Sequence, residues 1–159
     1  MTVSSWRAAE IPIPGGVIAV DVSGSGRLTR HLISFQTQGV SYEIASLSQL
    51  ASILGSSRAN TEALATADPV GLAYLVCLLS GRSHHIFPRE SMWPEIERHF
   101  SLRRSENEPR VTNGKFQFVA YSQYMPVLNV SRLTVDLTTL EVVEEPLITS
   151  PWPPAATAV

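Results

Sequence analysis

The chain has 159 residues, a formal net charge of −2 at pH 7, 44% hydrophobic residues and 16% charged residues. This length corresponds to one ordinary domain with enough residues to bury a substantial core. The negative net charge argues against non-specific binding of nucleic acid, which requires an excess of Lys and Arg to displace counterions.

Two features of the sequence predict a cytoplasmic protein. The only cysteine, Cys77, has no disulfide partner within the chain, which is typical of a reducing compartment. Residues 1–14 include Trp6, Arg7 and Glu10, and they lack the apolar stretch of about 7–15 residues found in signal peptides. No membrane association is expected.

The domain is predicted to begin with an antiparallel meander. Residues 17–22 form a β-branched apolar run that ends at a Ser-Gly-Ser-Gly turn, and residues 28–36 form a second strand. Residues 40–44 alternate between apolar and polar side chains, as in a third strand. Because the connections are too short for crossovers, these strands are expected to pair antiparallel.

Helices are predicted to follow the meander. Ser46 and Gln49 have the spacing of a capping box, and apolar residues follow at helical spacing until Gly55. Asn60 is expected to cap a short helix over residues 61–66.

The next helix, over residues 70–80, is predicted to lie at the centre of the fold. Asp68 and Pro69 form a start signal, because the carboxylate caps the helix and proline suits its first turn. Residues 70–80 carry no charge, and the stretch is shorter than the roughly 20 residues that span a bilayer. A helix that is apolar on every side lies either in the core or in a subunit interface. The core is favoured, because a domain of this size has room for one such helix.

The C-terminal part is predicted to return to strands. A helix is expected to start at Ser91 or Trp93 and to end near Leu102, with a loop over residues 105–109. Three strands are predicted over residues 115–124, 127–137 and 140–144.

Two local features are predicted within these strands. The apolar positions change from even to odd residue numbers between Val130 and Leu133, which predicts a β-bulge near Ser131 and Arg132. Residues 136–141, Asp-Leu-Thr-Thr-Leu-Glu, resemble the Asp-x-x-Thr-Gly-Glu hairpins of many β-rich families, with Leu140 where glycine is usual. The resemblance implies a hairpin.

The order of strands, helices and strands predicts an α+β fold. An antiparallel sheet, made of the N-terminal meander and C-terminal hairpins, is expected to carry the central apolar helix and two or three further helices. Residues 1–145 are expected to form this single domain. The Pro- and Ala-rich residues 146–159 are expected to form a tail without regular structure that is partly disordered.

One group of residues has the chemistry of a metal site. Glu95 and His99 lie four residues apart on a predicted helix, and His84 or His85 could supply a third ligand. The spacing differs from that of the His-Glu-x-x-His motif, and an exposed Glu–His pair beside a two-histidine loop explains the same residues. No metal or other cofactor is therefore expected, and a small metal-dependent enzyme or metal binder remains the alternative function.

No catalytic residue is predicted. The chain lacks a Gly-x-Ser-x-Gly elbow, and Cys77 lies in the charge-free helix, where a thiolate would be costly. Asp21 and Asp136 stand near strand ends, where aspartates usually bond the backbone.

The polar region before the C-terminal strands is the candidate partner-binding surface. Trp93, Arg98, Arg103 and Arg104 cluster there, and Trp and Arg are enriched at interfaces. Cations placed favourably at a helix C-terminus would explain the arginines equally. The low charged fraction also suggests apolar surface that is covered by a partner or a second copy of the chain.

The sequence therefore favours a non-enzymatic protein-binding domain of bacterial type, such as an immunity-like or adaptor protein for a specific protein partner. The chain resembles small bacterial immunity proteins in size and general character, and no motif carries the resemblance. A structural subunit of a larger assembly is a second alternative, which would be favoured if the helix over residues 70–80 lay at an interface.

Overall fold

The computed structural model describes residues 4–25, 28–55, 58–80, 93–124 and 127–151. The predicted α+β class is confirmed. The strands do not form the single sheet that was expected but two four-stranded antiparallel sheets of order β1-β2-β3-β4 and β5-β6-β7-β8, because within these residues β4 pairs only with β3 and β5 only with β6. In chain order the elements are β1 (Ser4–Ile13), β2 (Gly16–Ser25), β3 (Leu28–Thr37), β4 (Val40–Glu43), α1 (Leu47–Ile53), α2 (Arg58–Ala67), α3 (Pro69–Leu79), α4 (Trp93–His99), α5 (Arg104–Asn107), β5 (Arg110–Thr112), β6 (Lys115–Tyr124), β7 (Val127–Asp136) and β8 (Val142–Pro151).

The first sheet is the predicted meander with one additional strand. β2 and β3 contain the first two predicted strands, β4 covers the third except for Ile44, and all three pair antiparallel. The sequence did not predict β1, which pairs with β2 and contains an irregularity between Arg7 and Ala9. Ile11 and Ile13 of β1 are buried, whereas Trp6 is 52% exposed. The N-terminal residues therefore contribute to the core through one half of their strand.

Capping interactions join α1 and α2. The predicted cap at Ser46 is confirmed, because the Gln49 backbone N–H donates to Ser46 Oγ over 3.2 Å. The Gln49 side chain reaches one residue further back than in a standard capping box and accepts from the Ala45 N–H over 2.7 Å. The predicted cap at Asn60 is wrong, because Asn60 lies inside α2. Its Nδ2 instead donates to the Leu54 carbonyl over 2.8 Å, which satisfies a backbone acceptor at the end of α1.

The third helix lies in the main core, as the sequence predicts. Asp68 Oδ1 accepts a hydrogen bond of 2.9 Å from the Gly71 backbone N–H, and Pro69 occupies the first turn. A Cβ atom at Gly71 would collide with the Asp68 carboxylate, so glycine permits this close cap. The main core combines this helix with α1, α2 and both sheets, and its fully buried members include Ile18, Val20, Leu50, Leu72, Leu75, Val76, Phe116, Leu133 and Val135.

In the residues that the structure describes, no single helix combines the length and the apolar character needed to cross a bilayer. Within the same described ranges, α2 and α3 are the only pair of helices that together reach this length and apolar character, and the pair is bent by 116°.

The second sheet is covered on both faces. On one face, Phe118 and Leu133 belong to the main core, and on the other, Val119 and Val130 belong to a second core. The change from even to odd buried positions in β7 therefore marks a change of face, because alternate side chains of a strand point to opposite sides. The pairing of β7 with β6 is continuous there. The predicted bulge is present only against β8, where Leu147 is the extra residue.

Regular structure continues beyond its predicted end. Residues 146–151 form the second half of β8 and pair with residues 127–131, so the predicted tail is wrong for this segment. Pro146 and Pro151 are accommodated because β8 is an edge strand, where a missing N–H donor is tolerated. Residues 152–159, the rest of the predicted tail, lie outside the described residues.

All four sheet edges are short or irregular in the described ranges. β4 and β5 have four and three residues. β1 contains the irregularity at Ala8 and a proline at Pro12. β8 contains two prolines and the extra residue Leu147.

The predicted hairpin joins β7 to β8. Asp136 Oδ1 accepts hydrogen bonds from the backbone N–H groups of Thr138 and Thr139 over 2.8 and 2.9 Å. Leu140, at the position where glycine is usual in such hairpins, has a φ of 59° and a fully buried side chain. A leucine in the left-handed region costs conformational energy, and the burial of its side chain offsets this cost.

The unfavourable φ of Leu140 should decide the relative stability of two variants, Leu140→Ala and Leu140→Gly. Glycine is usually the more destabilising replacement, and we expect the opposite order here. Leu140→Ala removes the buried side chain and retains the unfavourable φ, so it should lower the free energy of unfolding by about 2–5 kcal/mol. Leu140→Gly also removes the side chain, but it relieves the backbone by about 1 kcal/mol. Urea unfolding should therefore show the Gly variant to be the more stable of the two. A less stable Gly variant would mean that Leu140 adopts a different backbone conformation in solution.

Candidate functional site

The candidate surface is built on α4, which packs against the outer face of the second sheet, the face that carries Val119 and Val130. Trp93 and Ile96 are buried in the second core, at 5% and 0% exposure. Phe100 and Leu102 follow the helix and pack against the same core while remaining partly exposed. These four apolar side chains fix the position of α4 and the segment after it.

The connection from α4 to α5 is held by polar contacts. The Leu102 backbone N–H donates to the Phe100 carbonyl over 2.7 Å, which makes a tight turn. The Glu97 carboxylate accepts from the Arg104 backbone N–H over 2.7 Å. Asn107, 7% exposed, donates through Nδ2 to the Arg103 carbonyl over 2.7 Å. The predicted loop over residues 105–109 is therefore wrong in its first half, where these contacts hold the short helix α5 in place.

Two of the three predicted arginines lie on the surface without a partner among the described residues. Arg98 and Arg103 are exposed and form no ion pair within the described part of the chain. Arg104 is less exposed, and its Nε lies 3.4 Å from a carboxylate oxygen of Glu108. Arg98 and Arg103 line one open cleft of about 360 Å³, together with Glu97, His99, Phe100, Ser101, Leu102 and Glu106.

Trp93, the fourth predicted partner-binding residue, is not at the surface. Its indole belongs to the second core, so it supports α4 from beneath. The sequence did not predict three residues that shape the cleft: Phe100 and Leu102, which line it, and Asn107, which holds the Arg103 carbonyl. An apolar pair that flanks a helix end was a usable signal for the first two, whereas the contact of Asn107 is visible only in the fold.

The structure describes only two of the four residues of the metal hypothesis. Glu95 and His99 lie on α4, and both are exposed. His84 and His85 lie outside the described residues. Among the side chains that are described, no group of three or more His, Cys, Asp or Glu residues could hold a metal ion.

The described groups do not form a nucleophile–base pair in the cleft. Ser101 and His99 both line it, but no hydrogen bond joins them in the described structure. Elsewhere, Asp21 accepts a hydrogen bond of 2.6 Å from Arg7 Nε. The backbone N–H groups of Thr139 and Thr138 hold the pKa of Asp136 below its ordinary value. Both aspartates thus have structural partners.

Cys77 lies inside α3 and is 2% exposed. Burial raises the pKa of its thiol to about 12, because a thiolate would lose its hydration there. We expect no reaction of native Cys77 with a thiol reagent at pH 8, and rapid reaction in guanidinium chloride. Rapid labelling of the native protein would show that α3 opens readily.

The free energy of unfolding should also depend on pH. Since the unfolded chain releases the thiol proton of Cys77 near its ordinary pKa, folding stability should fall as the pH rises from about 9 to about 12.

The most exposed apolar side chains of the described residues lie outside the cleft. Four large ones lie on the first sheet: Trp6, Leu32, Val40 and Tyr42, with exposures of 47–54%. Trp6 pairs with Val22 and Leu32 pairs with the adjacent Asp21, so these two side chains lie on opposite faces. Val40 and Tyr42 share one face of β4, where Tyr42 stacks on Phe35, whereas the α4–α5 cleft brings charged and apolar groups together.

Comparisons of the chain with models of protein families, with curated proteins and with solved structures found no match. The groups that the cleft could bind are therefore inferred from its own side chains. Each guanidinium group of Arg98 and Arg103 has five N–H donors and no acceptor. Such groups bind carboxylates or phosphates through paired hydrogen bonds.

Proposed function

We propose that this chain is a non-enzymatic protein-binding domain, of immunity or adaptor type, that binds a specific protein partner through the α4–α5 cleft. The main support is the pair of exposed arginines, Arg98 and Arg103, which face one cleft without an internal partner in the described residues. Arginine is enriched at protein interfaces because it combines planar hydrogen bonding with an apolar stem.

The support beneath the arginines favours binding over a purely solvated surface. The backbone around Arg103 is fixed by the Asn107 and Glu97 hydrogen bonds. Phe100 anchors the turn between the two arginines in the second core. A surface that is ordered before binding loses less conformational entropy when a partner docks.

The experiment is to identify the protein that co-purifies with the chain from its host and to measure its affinity for charge-reversed variants. Arg98→Glu and Arg103→Glu should each weaken binding by about tenfold or more through lost electrostatic complementarity. Their free energies of unfolding should change by about 1 kcal/mol or less, since exposed charges contribute little to stability. The matched control is Arg30→Glu, which makes the same charge change at an exposed position of β3.

Equal affinity of the parent and of both cleft variants for the purified partner would rule out this surface. An equal loss in Arg30→Glu would show a general effect of net charge. A large loss of stability in Arg98→Glu or Arg103→Glu would mean that the arginines hold the domain together.

A further inference from the structure

The α4–α5 cleft offers charged and apolar contacts side by side. Arg98 precedes the tight turn and Arg103 follows it, and both side chains are exposed. Between them in the chain, Phe100 and Leu102 line the same cleft and are partly exposed. Because protein interfaces place apolar contact beside polar contact, a partner that fills this cleft must offer both.

The guanidinium groups of Arg98 and Arg103, which have no ion-pair partner among the described residues, define the polar part of that partner. Glu97, one of the two carboxylates that line the cleft, already accepts from the Arg104 backbone N–H. Glu106, the other, forms no ion pair with Arg98 or Arg103 in the described structure. When a partner displaces water from the cleft, each arginine needs a new acceptor, because a buried donor without a partner is costly. A carboxylate fits the planar guanidinium through two parallel hydrogen bonds.

The charges around the arginines favour carboxylates over phosphates or a polyanion. Glu97 and Glu106 line the same cleft, and the whole chain has a net charge of −2. A nucleic acid or polyphosphate would bring dense negative charge against these glutamates. Separate carboxylates on a peptide can contact the arginines one at a time, so the repulsion is smaller.

Building on the proposed function, we propose that the α4–α5 cleft binds an acidic peptide segment of the partner in which two carboxylates flank an apolar side chain. The carboxylates pair with Arg98 and Arg103, and the apolar side chain packs against Phe100 and Leu102. Attraction between the charges speeds the encounter, and the apolar contact adds to the affinity.

The test uses synthetic peptides with two glutamates separated by one, two or three residues that include leucine, capped at both ends. Binding to the full chain is measured by calorimetry or fluorescence anisotropy. We expect at least one spacing to bind saturably, with affinity falling as salt rises from about 0.05 to 0.3 M. Replacing both glutamates by glutamine, or leucine by serine, should weaken binding by about tenfold.

Variants of the chain provide the reciprocal control. The double variant Arg98→Ala, Arg103→Ala should lose affinity for the best glutamate peptide by about tenfold or more, and Arg30→Ala should bind as the parent does. Equal binding of the glutamine peptide, or no saturable binding of any spacing, would overturn the proposal. Stronger competition by inorganic phosphate or by a single-stranded oligonucleotide would also overturn it.

These outcomes separate the proposal from the function on which it rests. A natural partner that depends on Arg98 and Arg103 but is not displaced by the glutamate peptides would leave the protein-binding function intact and reject the acidic segment. A partner whose affinity is unaffected by Arg98→Glu and Arg103→Glu would reject the use of this cleft altogether.

Discussion

Replacement of Leu75 by Asp is expected to abolish folding into a soluble native state. Leu75 lies on α3 with 0% exposure in the main core. An unpaired carboxylate there would remain buried without hydration, at a cost above about 4 kcal/mol, which is a large fraction of the stability of an ordinary domain. Solubility on expression and circular dichroism of any recovered protein would measure the effect.

The same helix supplies a matched control. Val70 lies near the start of α3 and is 52% exposed, so Val70→Asp should fold with little loss of stability. A carboxylate near a helix N-terminus also stabilises the helix by interacting favourably with the helix dipole. A soluble, folded Leu75→Asp protein that had only lost a subunit contact would contradict the central position of α3.

Trp93→Ala is expected to lower the free energy of unfolding by about 3–5 kcal/mol. The indole is 5% exposed and fills the second core against the outer face of β6 and β7. Its removal leaves a cavity between α4 and the sheet, so the cleft should also become less ordered. Thermal and urea unfolding would measure the loss.

Trp6→Ala is the control for the same change of residue type. Trp6 is 52% exposed at the edge of the first sheet, so its loss should cost about 1 kcal/mol or less. If the Trp93→Ala protein were as stable as the parent and had lost only partner affinity, the indole would act at an interface and not in the second core.

The sequence predicted the elements whose signals are local. α3 was predicted because a capping aspartate and a proline precede a charge-free run, and the hydrogen bond from Gly71 to Asp68 confirms that start. Ser46 and Gln49 likewise predicted the start of α1. In these cases the residues that define the helix boundary contact each other within one turn, so no knowledge of the fold was needed.

The failures share one cause, which is that tertiary contacts decided the outcome. The two prolines in residues 146–151 predict a tail, but an edge strand needs hydrogen bonds on one side only. The sequence of β7 predicts a one-sided strand with a bulge, because nothing in it shows that both faces are covered. The sequence predicts Asn60 as the cap of its own helix, although its partner is the Leu54 carbonyl of the helix before.

The candidate site likewise has features that the sequence predicts and features that depend on tertiary contacts. The exposure of Arg98 and Arg103 follows from their chemistry, since charged side chains are rarely buried without a partner. The burial of Trp93 depends on where α4 lies against the second sheet, and the sequence does not specify that placement. An aromatic side chain on a short helix suits a core and an interface equally well, so only the packing separates the two.

The irregular edges of the sheets limit how this domain can meet other proteins. A strand can be added to a sheet only where a straight row of free N–H and C=O groups is available. In the described structure, β4 and β5 are too short to offer such a row, while prolines and extra residues interrupt it along β1 and β8. Strand exchange and fibril-like stacking are thereby disfavoured. A protein that bound this domain would have to recognise side chains, so single substitutions that leave the fold unchanged would be able to adjust the specificity of binding.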